Sequence, residues 1–107
     1  MDTSELLALV AKGIVPVVAP ISSDENKAGL NVNADLAAAA IAGALDASAL
    51  IIMTDVAGIY RNWPDESSLI NAIDARELNE IKGSFAQGMA PKVQAALDAI
   101  TGGAKAV

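Results

Sequence analysis

The sequence predicts an α/β fold with a parallel sheet, and three observations carry that reading. Segments with helical and with strand-like patterning alternate along the chain, which implies parallel strands joined by right-handed crossovers. Ala49-Leu50-Ile51-Ile52-Met53 is a continuous apolar run, the pattern of a central strand buried on both faces. Finally, 53% of the residues are hydrophobic but only 3% aromatic, and alanine abounds. Small apolar side chains suit closely packed layers better than a β sandwich. At 107 residues the chain has room for one small domain.

The elements follow in order. Leu6, Leu7, Leu9 and Val10 predict a short amphipathic helix ending near Gly13. Residues 14–21, Ile-Val-Pro-Val-Val-Ala-Pro-Ile, are β-branched and apolar and read as a strand, although Pro16 opposes an uninterrupted ladder. Asp24 to Gly29 is a polar turn. A helix from Ala34 to about Leu45 carries Ala37 to Ala40, Ala42, Gly43 and Ala44, small enough to approach a sheet closely. The strand at 49–53 follows, then a loop from Arg61 to Ser68 anchored by Trp63-Pro64. Asp74 caps a helix running to about Ile81, with Glu77 at capping-box spacing and Gly83 past its end. A last helix starts near Gly88 and stops at Gly102-Gly103. Met89, Val93, Ala96, Leu97 and Ile100 form its apolar face, and Pro91 is tolerated in its first turn. Ala104 to Val107 reads as the start of another strand.

Composition excludes several kinds of chemistry. There is no cysteine and no histidine, so disulfides, thiol or imidazole catalysis and structural zinc are ruled out. The net charge is −6 and no Lys/Arg cluster could track a phosphate backbone, so no nucleic-acid partner is expected. The longest apolar run, Leu36 to Leu45, is far short of the roughly 18 residues of a membrane span. The acidic, polar start Met1-Asp2-Thr3-Ser4-Glu5 is unlike a signal peptide. A cytoplasmic location is the expectation.

Three motifs carry the functional content. In Leu30-Asn31-Val32-Asn33-Ala34-Asp35, Asn33 has the chemistry of a helix N-cap. Asp35 falls in the first turn, where the helix dipole favours a carboxylate. Converging N–H groups and polar side chains there could hold an anionic or amide-bearing ligand; for an isolated N-A-D a well-capped helix is the commoner explanation. Thr54-Asp55-Val56-Ala57-Gly58-Ile59-Tyr60 leaves a buried strand directly. In open α/β sheets ligands bind beyond the carboxyl ends of strands. Gly88-Met89-Ala90-Pro91-Lys92 opens a helix with a lysine set against the dipole. That placement makes sense if the ammonium meets a phosphate, although a lone lysine is more commonly just solvated.

Together and in this order, these segments resemble the amino-acid kinase superfamily, most closely its acetylglutamate kinase branch. Gly13 to Ile21 and Gly88 to Leu97 extend the resemblance across essentially all 107 residues. The N-x-N-A-D and G-M-x-P-K segments are specific as a pair. The resemblance implies a three-layer αβα fold around a largely parallel sheet. Residues 1–107 would form a single partial domain, mostly the nucleotide-binding region. The implied activity is ATP-dependent phosphorylation of the carboxylate of N-acetyl-L-glutamate in arginine biosynthesis, with magnesium carried on the ATP phosphates. The full-length enzyme would be a homo-oligomer.

Carried over by the resemblance, Lys92 neutralises charge on the transferring phosphoryl group and Asp35 orients the catalytic lysines. Asn31 and Asn33 hold acetylglutamate. The ATP site is lined by Thr54, Asp55, Val56, Ala57, Gly58, Ile59 and Tyr60, by Ser84, Phe85 and Ala86, and by Met89. The family's first strand with its own catalytic lysine, its glycine-rich loops and its substrate-clamping arginine have no counterpart. Only Lys12 and Lys27 precede Asn31, and no G-G or G-x-G does. The chain therefore reads as a middle-to-C-terminal fragment, expected to be inactive alone. Glutamate 5-kinase, carbamate kinase and a non-catalytic nucleotide-binding fragment are the alternatives.

Overall fold

The computed structural model describes all 107 residues. Its helices are α1 (Ser4–Ala11), α2 (Ala34–Ala44), α3 (Ala75–Ile81) and α4 (Ala90–Gly102), with short 3-10 turns at Glu66–Ser68 and Lys82–Ser84. Local chemistry sets their ends. Asn33 accepts from the N–H groups of Asp35 and Leu36 at 3.0 and 3.2 Å, capping α2. Asp74 accepts from the N–H of Glu77 at 2.8 Å, capping α3. Glu77 does not complete a capping box; its carboxylate faces Arg61 at 3.6 Å. Gly13 and Gly103 end α1 and α4 at positive φ, 74° and 128°. At Gly103 the N–H of Ala104 reaches back to the carbonyl of Ala99 at 2.9 Å, the wide loop of a Schellman ending.

The core lies against α4. Tyr60, Leu78, Phe85, Met89, Val93, Ala96 and Leu97 form one buried cluster. Of the helical face read from Met89, Val93, Ala96, Leu97 and Ile100, the first four are buried and Ile100 is half-buried. A second cluster joins Ala39 and Ala42 of α2 to Ala99 and Ala104. At its edge the backbones touch: a Cβ added to Gly43 would lie 2.9 Å from the Cα of Gly102. The small residues of α2 therefore serve a close approach to helix α4, not to a sheet.

The sheet differs most from expectation. The only ladder is a two-stranded antiparallel hairpin of β1 (Ile21–Ser23) and β2 (Gly29–Asn31). Asp24 closes its turn, accepting from the N–H groups of Asn26 and Ala28 at 2.9 and 2.8 Å. Residues 15–18 and 51–53 form no backbone–backbone hydrogen bonds. Val15 and Val17 are 85% and 96% exposed, and Ile51 and Met53 are 83% and 93% exposed. Burial of 49–53 on both faces is thus corrected: the run is apolar, but nothing here covers Ile51 or Met53. Its neighbour on one side is the chain end, where Lys105 N–H bonds Ala47 O and Leu50 N–H bonds Ala106 O, each at 2.8 Å. Those two bonds advance together along both segments, the sense of parallel neighbours, without forming a ladder.

The loop after the 49–53 segment folds back on itself. Ile70 N–H bonds Ile59 O and Arg61 N–H bonds Ser68 O, each at 2.9 Å. Trp63 lies against Tyr60, ring centres 5.0 Å apart, and so anchors the 61–68 loop as its sequence suggested.

Candidate functional site

The start of α4 and the loop after residue 53 meet at Lys92. Lys92 sits in the first turn of α4, which has no side-chain cap. Its Nζ donates to Thr54 Oγ1 at 2.6 Å, and the Thr54 hydroxyl donates to Asp55 Oδ1 at 3.1 Å. Thr54 follows the extended 49–53 segment, so the lysine reaches the carboxyl end of that segment. Lys92 makes no ion pair, as Arg61–Glu77 is the only salt bridge of the chain. Lys92 is half-buried as a residue, and a neutral hydroxyl oxygen rather than a carboxylate holds its ammonium.

Asp35 lies in the first turn of α2 and is half-buried. α2 and α4 share the most extensive helix contact and meet at their carboxyl ends, Gly43 on Gly102. No direct ion pair joins Asp35 to Lys92, and neither Asp35 nor Asn31 lines the groove that holds Lys92. Asn31 is exposed on β2, opposite Ile21. Asn33 is exposed too, with its carbonyl oxygen committed to the cap.

The segments expected around ATP divide into two groups. Thr54, Asp55, Ala57, Ser84 and Ala86 are exposed, and Val56, Gly58 and Ile59 are half-buried. Tyr60, Phe85 and Met89 are buried in the core, so their side chains serve packing and leave only backbone to offer. Ser84 turns its hydroxyl to Ile81 O at 2.7 Å.

A groove of about 600 Å³ opens beside Thr54 and Lys92. Gly58, Ile59, Ile73 and Ile100 make much of its wall, and Lys105 stands on its rim. The sequence reading did not include Lys105. The signal was weak, because a lysine near the end of a chain with no motif around it reads as solvated surface.

The groove thus carries a helix-start lysine at the carboxyl end of an extended segment. The chain belongs to the Amino acid kinase family, whose pattern matches residues 1–107. It is similar to acetylglutamate kinases. It is 49% identical to that of Leifsonia xyli subsp. xyli over 96% of the chain, and 43% identical to that of Corynebacterium urealyticum over 99%. The chain spans 35% of the length of each. Among solved structures it is similar to N-acetylglutamate synthase from Neisseria gonorrhoeae, complexed with coenzyme A and N-acetyl-glutamate. There the TM-score is 0.84 at 26% identity, covering 97% of this chain and 24% of that one.

Proposed function

We propose that these residues form the nucleotide-binding part of an enzyme that phosphorylates the carboxylate of N-acetyl-L-glutamate with ATP, in arginine biosynthesis. The observation that carries the reading is the Lys92–Thr54–Asp55 cluster beside an apolar groove, in a chain of this family. In the reaction a carboxylate oxygen of the substrate bonds to the γ-phosphorus of ATP. The bond from that phosphorus to the β,γ-bridging oxygen breaks, and ADP leaves. Charge spreads over the oxygens in flight, so catalysis is positioning and charge stabilisation. Lys92 supplies the positive charge. Asp35 orients the lysines of the site, and Asn31 and Asn33 hold acetylglutamate. The Thr54–Tyr60 and Ser84–Ala86 segments, with Met89 behind them, line the ATP site. Magnesium arrives as part of the ATP substrate complex.

In the whole protein, segments 14–18, 49–53 and 104–107 become strands of a largely parallel sheet in three αβα layers. That protein is a cytoplasmic homo-oligomer. The 107-residue chain alone is inactive, because one lysine without a partner lysine or phosphate loops does not give a proportionate fraction of activity.

The test is a calorimetric titration of magnesium-ATP into the chain and into Lys92→Ala. Saturable binding that weakens by about tenfold or more in the variant is expected, as for the loss of a charge-assisted contact. No binding by the chain, or equal binding by both proteins, overturns the reading. Turnover is measured in parallel as ADP release with N-acetyl-L-glutamate, and none above the Lys92→Ala background is expected.

A further inference from the structure

We propose that Thr54 is a positioning residue, which sets the Lys92 ammonium and presents it undischarged to the phosphates; this rests on the ATP reading above. Lysine carries its charge on a flexible four-carbon stem, so a catalytic lysine needs something to fix its tip. Asp35, the expected orienting group, makes no direct ion pair with it. The fixing contact here is the Thr54 hydroxyl, at 2.6 Å from Nζ.

The chemistry of that acceptor matters. A carboxylate in its place would both hold and neutralise the ammonium. A hydroxyl oxygen holds it and leaves the charge in place. Asp55 lies one step further out, accepting the hydroxyl proton at 3.1 Å. That bond fixes the hydroxyl rotor and turns a lone pair towards the lysine. The order ammonium, hydroxyl, carboxylate thus orients the cation without an ion pair. Thr54 acts with its hydroxyl through Lys92, whatever its backbone contributes to the wall of the ATP site. Its side chain is exposed, so exchanging it does not open a cavity in the core.

Two measurements on the 107-residue chain test this. The first is a double-mutant cycle read by titration with magnesium-ATP and with tripolyphosphate, which lacks the adenosine. Thr54→Val should weaken both ligands by about tenfold, the loss expected when one hydrogen bond to a charged group is removed. Thr54→Ser should bind like the parent chain. Thr54→Val in a Lys92→Ala background should cause no further loss. A loss that persists in that background, or Thr54→Ser behaving like Thr54→Val, overturns the proposal.

The second measurement needs no nucleotide. Trace acetylation of Lys92 is followed by mass spectrometry, with Lys12 as internal reference. Freed from its acceptor, Lys92 should label severalfold faster in Thr54→Val and at the parent rate in Thr54→Ser. Unchanged labelling in Thr54→Val overturns the positioning role even if ATP binds. Changed labelling in a chain that does not bind ATP rejects the kinase reading and, with it, the delivery of the charge to phosphate.

Discussion

The contacts of single residues show which of them hold the fold. Asn33 is a cap by geometry, with its oxygen on two N–H groups, whereas Asn31 has no such duty and is exposed. Asn33→Ala should therefore cost about 1 kcal/mol of stability, in the range measured for caps. Asn31→Ala should leave the melting temperature unchanged; thermal denaturation followed by circular dichroism distinguishes them. Equal melting temperatures would show that the cap contributes nothing. Gly43 provides a sharper case. A methyl group there meets the Gly102 backbone at 2.9 Å, and backbone cannot rotate away. Gly43→Ala should cost about 1–3 kcal/mol, as overpacking does. Gly83 has nothing within 4 Å of an added Cβ, so Gly83→Ala should be close to neutral. For Asp55, whose carboxylate accepts from the Thr54 hydroxyl, exchange to Ala in the intact enzyme should weaken ATP binding more than acetylglutamate binding. Equal losses in the two titrations would make Asp55 a structural residue.

At the scale of elements, what could be read in advance was whatever local chemistry decides. Asn33 and Asp74 announce helix starts because their side chains satisfy N–H groups within the same turn. Gly13 and Gly103 announce helix ends because left-handed backbone is cheapest for glycine. The α4 face was legible because its apolar spacing matches the helical period over several turns. Long-range pairing was not legible. The alanines of α2 say that something comes close, but not whether it is a sheet or a helix, since both need small side chains. The β1–β2 hairpin was read only as its turn, because Ile21-Ser22-Ser23 and Gly29-Leu30-Asn31 are too short to show alternation. Among the candidate site residues, Lys92 is marked in the sequence by its place against the helix dipole. Its acceptor Thr54 was marked only as part of a loop, because a contact between segments so far apart depends on tertiary packing. Tyr60, Phe85 and Met89 fell within site motifs, yet their size and apolarity are spent on the core.

Over the whole molecule, apolar surface and apolar core are unevenly matched. The core gathers around α4, while α1 has no buried residue, with Leu7 and Val10 about half exposed. The 15–18 and 51–53 segments add β-branched and thioether side chains in extended backbone whose N–H and C=O groups lack backbone partners. Extended, apolar and unpaired edges are templates for pairing with another chain, and apolar patches of this kind mark surfaces that another chain covers or that aggregate. The isolated chain should therefore self-associate with rising concentration, seen as a growing weight-average sedimentation coefficient. Charge placed on those edges should prevent it. In Val17→Lys with Met53→Lys, both changes fall on side chains that are 96% and 93% exposed, so they remove no core contact and should leave the melting temperature within a degree or two. The same substitution at Val93, 2% exposed within the main cluster, buries an unpaired ammonium and should abolish cooperative unfolding. Loss of self-association in the double variant with its melting transition retained identifies the two segments as the surface at fault. Persistent association in that variant would move the contact to α1, where Leu7→Lys with Val10→Lys repeats the measurement.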